Sequence, residues 1–117
     1  MNKYAVIQFD VQWSIGVAGG PDKVLAYIER EIIDGLNECY PDILPEQVRS
    51  VPEALACIHR KCGEEFIVII DEWDVLIRDV HKDWKIQDEY IAFLRNLFKG
   101  TEATKYIKLA YLTGILP

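Results

Sequence analysis

The sequence has little of what builds a metal or redox centre. It contains two histidines, His59 and His81, and three cysteines without CxxC spacing or a histidine cluster nearby. Cys57 and Cys62 lie five residues apart, about 140° around a helix at ~100° per residue, so they diverge. Cys39, Cys57 and Cys62 are therefore expected as reduced thiols in core or half-buried positions rather than as metal ligands. No Ser-His-Asp or Cys-His arrangement is visible. His59 stands in a charged HRK run and is expected to face solvent, and His81 lies in a charged connection. Trp13, Trp73 and Trp84 are too scattered for a base-stacking platform and are expected in the core or at a rim.

Other absences narrow the class further. No run of lysine and arginine occurs, and a formal net charge of −6 argues against unspecific binding to a phosphate backbone. No apolar segment approaches the ~20 residues that span a bilayer. No signal peptide opens the chain, because Met1 to Lys3 leads into a strand-like run. The expectation is a soluble, cytoplasmic protein with no membrane partner. There is no internal repeat and no low-complexity segment.

What is present is enough for a core. Half of the 117 residues are apolar, which makes one globular domain rather than a disordered chain. YAVIQFDV, residues 4–11, is β-rich and ends near Asp10. WSIGVAGGPD, rich in small residues, is expected as a loop. From Lys23 to about Cys39, the positions Val24, Leu25, Ile28, Ile32 and Leu36 mark one helix face. Asp22 is the expected N-cap of that helix, and Pro41 stops it. SVPE opens a second helix, with Ser50 and Glu53 at capping-box spacing and Gly63 as the C-cap.

The strand FIVIID follows. The polar stretch DVHKDWKIQDE then connects to a third helix carrying Ile91, Leu94, Leu97 and Phe98, closed by Gly100. KYIKLAYLTGILP reads as a last strand running into Thr113 and Gly114. Strands alternating with helices predict an α/β three-layer sandwich on a parallel sheet. The unbroken apolar run 66–70 predicts a central strand covered on both faces. Ligands of such sheets sit beyond the carboxyl ends of the strands, where Asp10, the 71–74 acids and Thr113 all fall.

Asp71, Glu72 and Asp74 put three carboxylates in four residues at one strand end. They repel one another, and a cation relieves that repulsion. Adjacent strand residues face opposite sides, so one acid can hold a hydrated Mg²⁺ while its neighbour orients a water. The plainer alternative is that the acids cap the element that follows.

FIVIIDEWDVLIRD and EYIAFLRNLFKGTEATKYIKLAYLTGILP resemble the AAA-ATPase-like family of bacterial proteins, and KYAVIQFDVQW resembles that family's second strand. The resemblance covers essentially the whole chain. Full-length members often continue into a PD-(D/E)XK nuclease-like region. The resemblance implies a P-loop NTPase core in which this chain supplies strands 2, 3 and 4, contiguous in a sheet ordered 5-1-4-3-2. It assigns Asp71 to Mg²⁺ through water, Glu72 to the attacking water and Thr113 to sensing the γ-phosphate. Asp74 and Arg78 match family positions without an assigned role; at four-residue spacing they can pair on a helical turn.

A P-loop, GxxxxGK[ST], is expected before the first strand, and these 117 residues contain none. The nearest stretch, GVAGGPDK from Gly16 to Lys23, lacks Gly-Lys-Ser/Thr, and its Pro21 removes a backbone N–H. The expectation is thus the central part of a larger ATP-binding, Mg²⁺-dependent protein. Alone, the chain should bind neither group tightly and should not hydrolyse ATP. Nucleic-acid contact would come only through other regions. The strand at Leu109 to Thr113 should expose an unpaired apolar edge and drive homo-oligomerisation. Two other readings are a DExD-box helicase or remodeller core, since DEWD satisfies DExD and LTGILP superficially resembles a motif-III LTG-x-P, and a catalytically silent assembly module.

Overall fold

A computed structural model describes residues 4–48, 50–78, 84–99 and 101–114. His81, Gly100, the side chain of Arg78 and residues 115–117 lie outside the described set. The chain begins with strand β1, Tyr4–Asp10, and Asp10 decides how it leaves that strand. Its carboxylate accepts from the Trp13 N–H at 2.9 Å, and the Ser14 hydroxyl donates to its carbonyl at 2.8 Å. The first of these bonds starts helix α1, Val11–Ala18, by satisfying an N–H that has no partner in a first turn.

The stretch expected as a loop is therefore mostly helix, and its glycines end it. Gly19 adopts φ 94, and the N–H groups of Gly19 and Gly20 both reach the Ile15 carbonyl. A 3₁₀ turn, Pro21–Lys23, leads into α2, Val24–Cys39. Asp22 sits inside that turn rather than capping α2, whose N-cap position is Lys23 without a side-chain bond. The apolar face of α2 is as expected: Val24, Ile28, Ile32 and Leu36 are all buried.

Helix α3, Val51–Cys62, starts at Ser50, whose hydroxyl accepts from the Glu53 N–H at 3.4 Å, and it ends at Gly63, φ 72. Its thiols diverge as five-residue spacing requires: Cys57 is buried, whereas Cys62 is exposed. Cys39 is exposed too, so only one of the three thiols is interior. His59 is half-buried rather than solvent-facing. Its Nδ1 lies 2.8 Å from the Glu64 carbonyl, and its ring tilts against Tyr106 at 6.2 Å.

Strand β2, Glu65–Asp71, is followed by a four-residue helix α4, Val75–Arg78, and by α5, Trp84–Phe98. The buried face of α5 is Ile86, Tyr90, Phe93 and Leu97, while Ile91 is exposed. The amphipathic pattern thus starts inside the stretch read as a polar connection. Trp84 and Trp13 are surface residues, Trp13 leaning on Tyr27 at 6.5 Å. Helix α6, Thr101–Tyr106, runs directly into β3, Ile107–Thr113.

The sheet is parallel with order β1-β2-β3. One face, carrying Ile7, Phe66, Val68 and Ile70, is buried against the helices, and Phe9 meets Phe93 of α5 edge-on at 6.5 Å. The opposite face is not covered: Val6 is 58% exposed, Tyr111 55% and Leu109 45%. Among the described residues the arrangement is therefore two layers, not the expected three. The reason is topological. Strands added in one direction by crossovers of one hand place every connecting helix on the same side.

Candidate functional site

The carboxyl ends of the three strands meet in one row, with Asp10 opposite Asp71 and Asp71 opposite Thr113. The expected rim is present, and Asp71 is its centre. One carboxylate oxygen accepts from the Thr113 hydroxyl at 2.9 Å, and the other accepts from the Gln8 amide at 3.1 Å. Both donors are neutral, so among the described residues the carboxylate is oriented by hydrogen bonds alone. Gln8 was not singled out in the sequence. Its signal was a lone amide in an apolar strand, two residues before Asp10 and therefore on the same side of the pleat.

Asp10 belongs to the row by register but not by chemistry, because its carboxylate serves as the α1 cap. Glu72 differs from the simple alternating picture. It lies just past β2 with φ 54, a left-handed conformation that costs a non-glycine residue roughly 1–2 kcal/mol. The turn it makes is held by two backbone bonds, Trp73 N–H to the Thr113 carbonyl at 3.0 Å and Val75 N–H to the Glu72 carbonyl at 3.3 Å. The first continues the β2–β3 ladder beyond Asp71 and locks the acidic turn to the end of β3.

Asp74 goes elsewhere. It is fully buried beneath the turn, so the three acids are separated rather than gathered. Gly114 packs on it so closely that a Cβ there would stand 2.8 Å from Asp74 Cγ and nearer still to Oδ1. Glycine after Thr113 is thus needed for space. Tyr90 of α5 donates its hydroxyl to the Trp73 carbonyl. Burial and the neighbouring Asp74 charge push its phenol above the ordinary range. From the same helix, the Gln87 amide reaches the Leu76 and Ile77 carbonyls of α4 at 3.4 and 3.3 Å. The rim is therefore supported from below by α5, a role with no motif to mark it in the sequence.

Of the sequence-selected residues, Asp71 and Thr113 are in direct contact and Glu72 is the next residue along the turn. Among the described residues, no group of three or more His, Cys, Asp or Glu is arranged to hold a metal ion. The donor set is a carboxylate beside a hydroxyl and an amide. Such a set fits Mg²⁺ bound through water, which takes one or two carboxylates and completes its shell with water and phosphate.

A family model described as Predicted AAA-ATPase matches residues 1–117. The chain belongs to this AAA-ATPase-like family. No curated protein and no solved structure matches it. In this member of the AAA-ATPase-like family the described sheet is parallel, with order β1-β2-β3. Among the described residues, no helix is long and apolar enough to cross a membrane.

Proposed function

We propose that this chain is the central segment of an ATP-binding protein, supplying the acidic strand and phosphate sensor of its hydrolytic site. The observation carrying this reading is Asp71 held between Gln8 and Thr113 at the carboxyl end of a parallel sheet. Asp71 would hold a water of Mg²⁺, Glu72 would orient the attacking water, and the Thr113 hydroxyl would contact the γ-phosphate. When bound, the metal supplies charge neutralisation on the phosphates. With no GxxxxGK[ST] among its 117 residues, the chain alone binds ATP poorly and does not hydrolyse it.

Two measurements test this. Calorimetric titration of the 117-residue protein with Mg·ATP should show no saturable binding and no phosphate release. In a longer polypeptide carrying a GK[ST] loop upstream, Glu72→Gln should lower kcat by about 10²-fold or more while nucleotide still binds. Hydrolysis unaffected by Glu72→Gln removes Glu72 from its assigned role.

A second copy is the expected partner at β3. Among the described residues no strand pairs with the outer edge of β3, and six of its seven residues are exposed. An unpaired apolar edge is a template for strand addition. Light scattering should report concentration-dependent association, with amides 109–113 more protected from exchange in the oligomer. A monodisperse monomer at all concentrations contradicts it.

A further inference from the structure

The opposite edge of the sheet has a different shape. Strand β1 pairs with β2 alone, and among the described residues no strand occupies its outer edge. Beside it runs a cleft of about 560 Å³, inside the roughly 300–1,000 Å³ range of ligand-holding sites. One wall is six consecutive β1 residues, 5–10. The other is α2, contributing Tyr27, Glu31, Gly35 and Cys39 at four-residue intervals, so a single helix face runs the length of the strand. A free strand edge facing a helix across a cleft is the geometry in which an extended peptide is held by main-chain bonds on one side and side-chain contacts on the other.

We infer that the cleft between β1 and α2 binds an extended, basic peptide segment of another protein as a fourth strand. Three features of the lining select that occupant. Six strand residues at ~3.3 Å each give an edge of about 20 Å, matching a peptide of similar length rather than a compact metabolite. Among the described residues the cleft is lined by three carboxylates, Asp10, Glu31 and Asp71, and by no lysine, arginine or histidine. Lysine or arginine on the alternate positions that share a face with Asp10 and Asp71 therefore meets opposite charge, and an acidic strand is repelled. Midway along, Gly35 leaves the helix wall open: a Cβ built there meets nothing within 4 Å. That gap has room for an apolar side chain of the incoming strand. This inference stands apart from the nucleotide reading, although Asp71 closes one end of the cleft.

The test uses the full chain and a defined probe, the peptide Lys-Val-Lys-Val-Lys-Val-Lys. Titration followed by amide NMR should give saturable shifts centred on residues 5–10 and on α2 near Gly35. Two control peptides should fail. One carries proline for the central valine and cannot pair as a strand. The other has the same composition in blocks, which keeps the charge and loses the alternation. Gly35→Leu fills the gap and replaces glycine with a better helix former, so the variant folds. It should weaken the alternating peptide by about tenfold or more at unchanged net charge. Glu31→Lys, at an exposed position, should weaken it as well. The inference is overturned by the absence of saturable shifts, by equal binding of either control, or by Gly35→Leu binding like the parent. Shifts confined to 107–113, or self-association through β1 that excludes the peptide, overturn it equally.

Discussion

On one face of the sheet Ile7, Phe66, Val68 and Ile70 are buried beneath helices. On the other, one residue along each strand, Val6, Leu109 and Tyr111 are exposed and Ile67 and Ile69 are half-buried. Both sets are apolar and β-forming, so side-chain chemistry does not distinguish them. Connectivity does. Every crossover in a sheet that grows in one direction returns on one side, so the connecting helices collect over the first face. The bare face is not wholly apolar: Gln8 lies on it, and Lys108 pairs with Glu65 at 3.3 Å. An exposed pair of that kind contributes at most about 1 kcal/mol. It therefore does not substitute for a packed layer.

The sharpest way to break this contrast is to empty the covered face. Phe66 is fully buried in the middle of the sheet. Phe66→Ala removes its contacts and leaves a cavity beneath the covering helices, at a cost of about 3–5 kcal/mol. Urea unfolding should show that loss in the midpoint at unchanged m. A loss below about 1 kcal/mol would mean that the helices do not seal this face.

Next in size is the junction where bare β3 runs into the supported rim. Gly114→Ala forces a methyl group against Asp74, an overpacking cost of about 1–3 kcal/mol. In the Asp74→Ala background most of that cost should vanish. A double-mutant cycle measures it as coupling. Additive losses would show that the glycine is there for another reason.

The parts of the fold that could be read beforehand were those whose cause is local. Capping at Ser50, termination at Gly63, the α2 stripe and the strand ending in Asp71 each follow from a few neighbouring residues, and each is present. The stretch after Asp10 looked like a loop because glycines dominate its end. Its helix depends on one aspartate cap and on two small steps, Val11 and Ser14, toward the core. The half-bare sheet was invisible for a different reason: an apolar run looks the same whether one side or both are covered. At the site, Asp71 and Thr113 could be found by their position at strand ends. Gln8, Tyr90 and the close seat of Gly114 on Asp74 arise from contacts across tens of residues, which no short pattern encodes.

Tyr90 offers a smaller perturbation of the covered side with a pH signature. Burial, then the Asp74 charge, raise its phenol in the folded protein. An unfolded tyrosine loses its proton near pH ~10, so above that pH the unfolded state binds fewer protons than the native state. Stability is then fully present below about pH 10 and falls as pH rises beyond it. Tyr90→Phe should remove that part of the alkaline decline. At neutral pH it costs about 1 kcal/mol, because the Trp73 carbonyl loses its donor. An alkaline slope identical in the variant would place the responsible group elsewhere.

The smallest effect belongs to the bare face, and it is the most informative about what the face is for. Tyr111 is 55% exposed, with Ile69 beside it on β2. Tyr111→Thr replaces one strand-favouring residue with another, so intrinsic preference hardly changes. In dilute solution the stability change should stay within about 0.5 kcal/mol, the range of ordinary surface substitutions. If a second copy covers β3, the penalty grows with protein concentration, because the lost contact then belongs to association rather than to folding. Thermal unfolding at two concentrations a hundredfold apart separates the cases. A large penalty that is independent of concentration would mean that this face is already packed within one chain, and the contrast between the two sides of the sheet would fail.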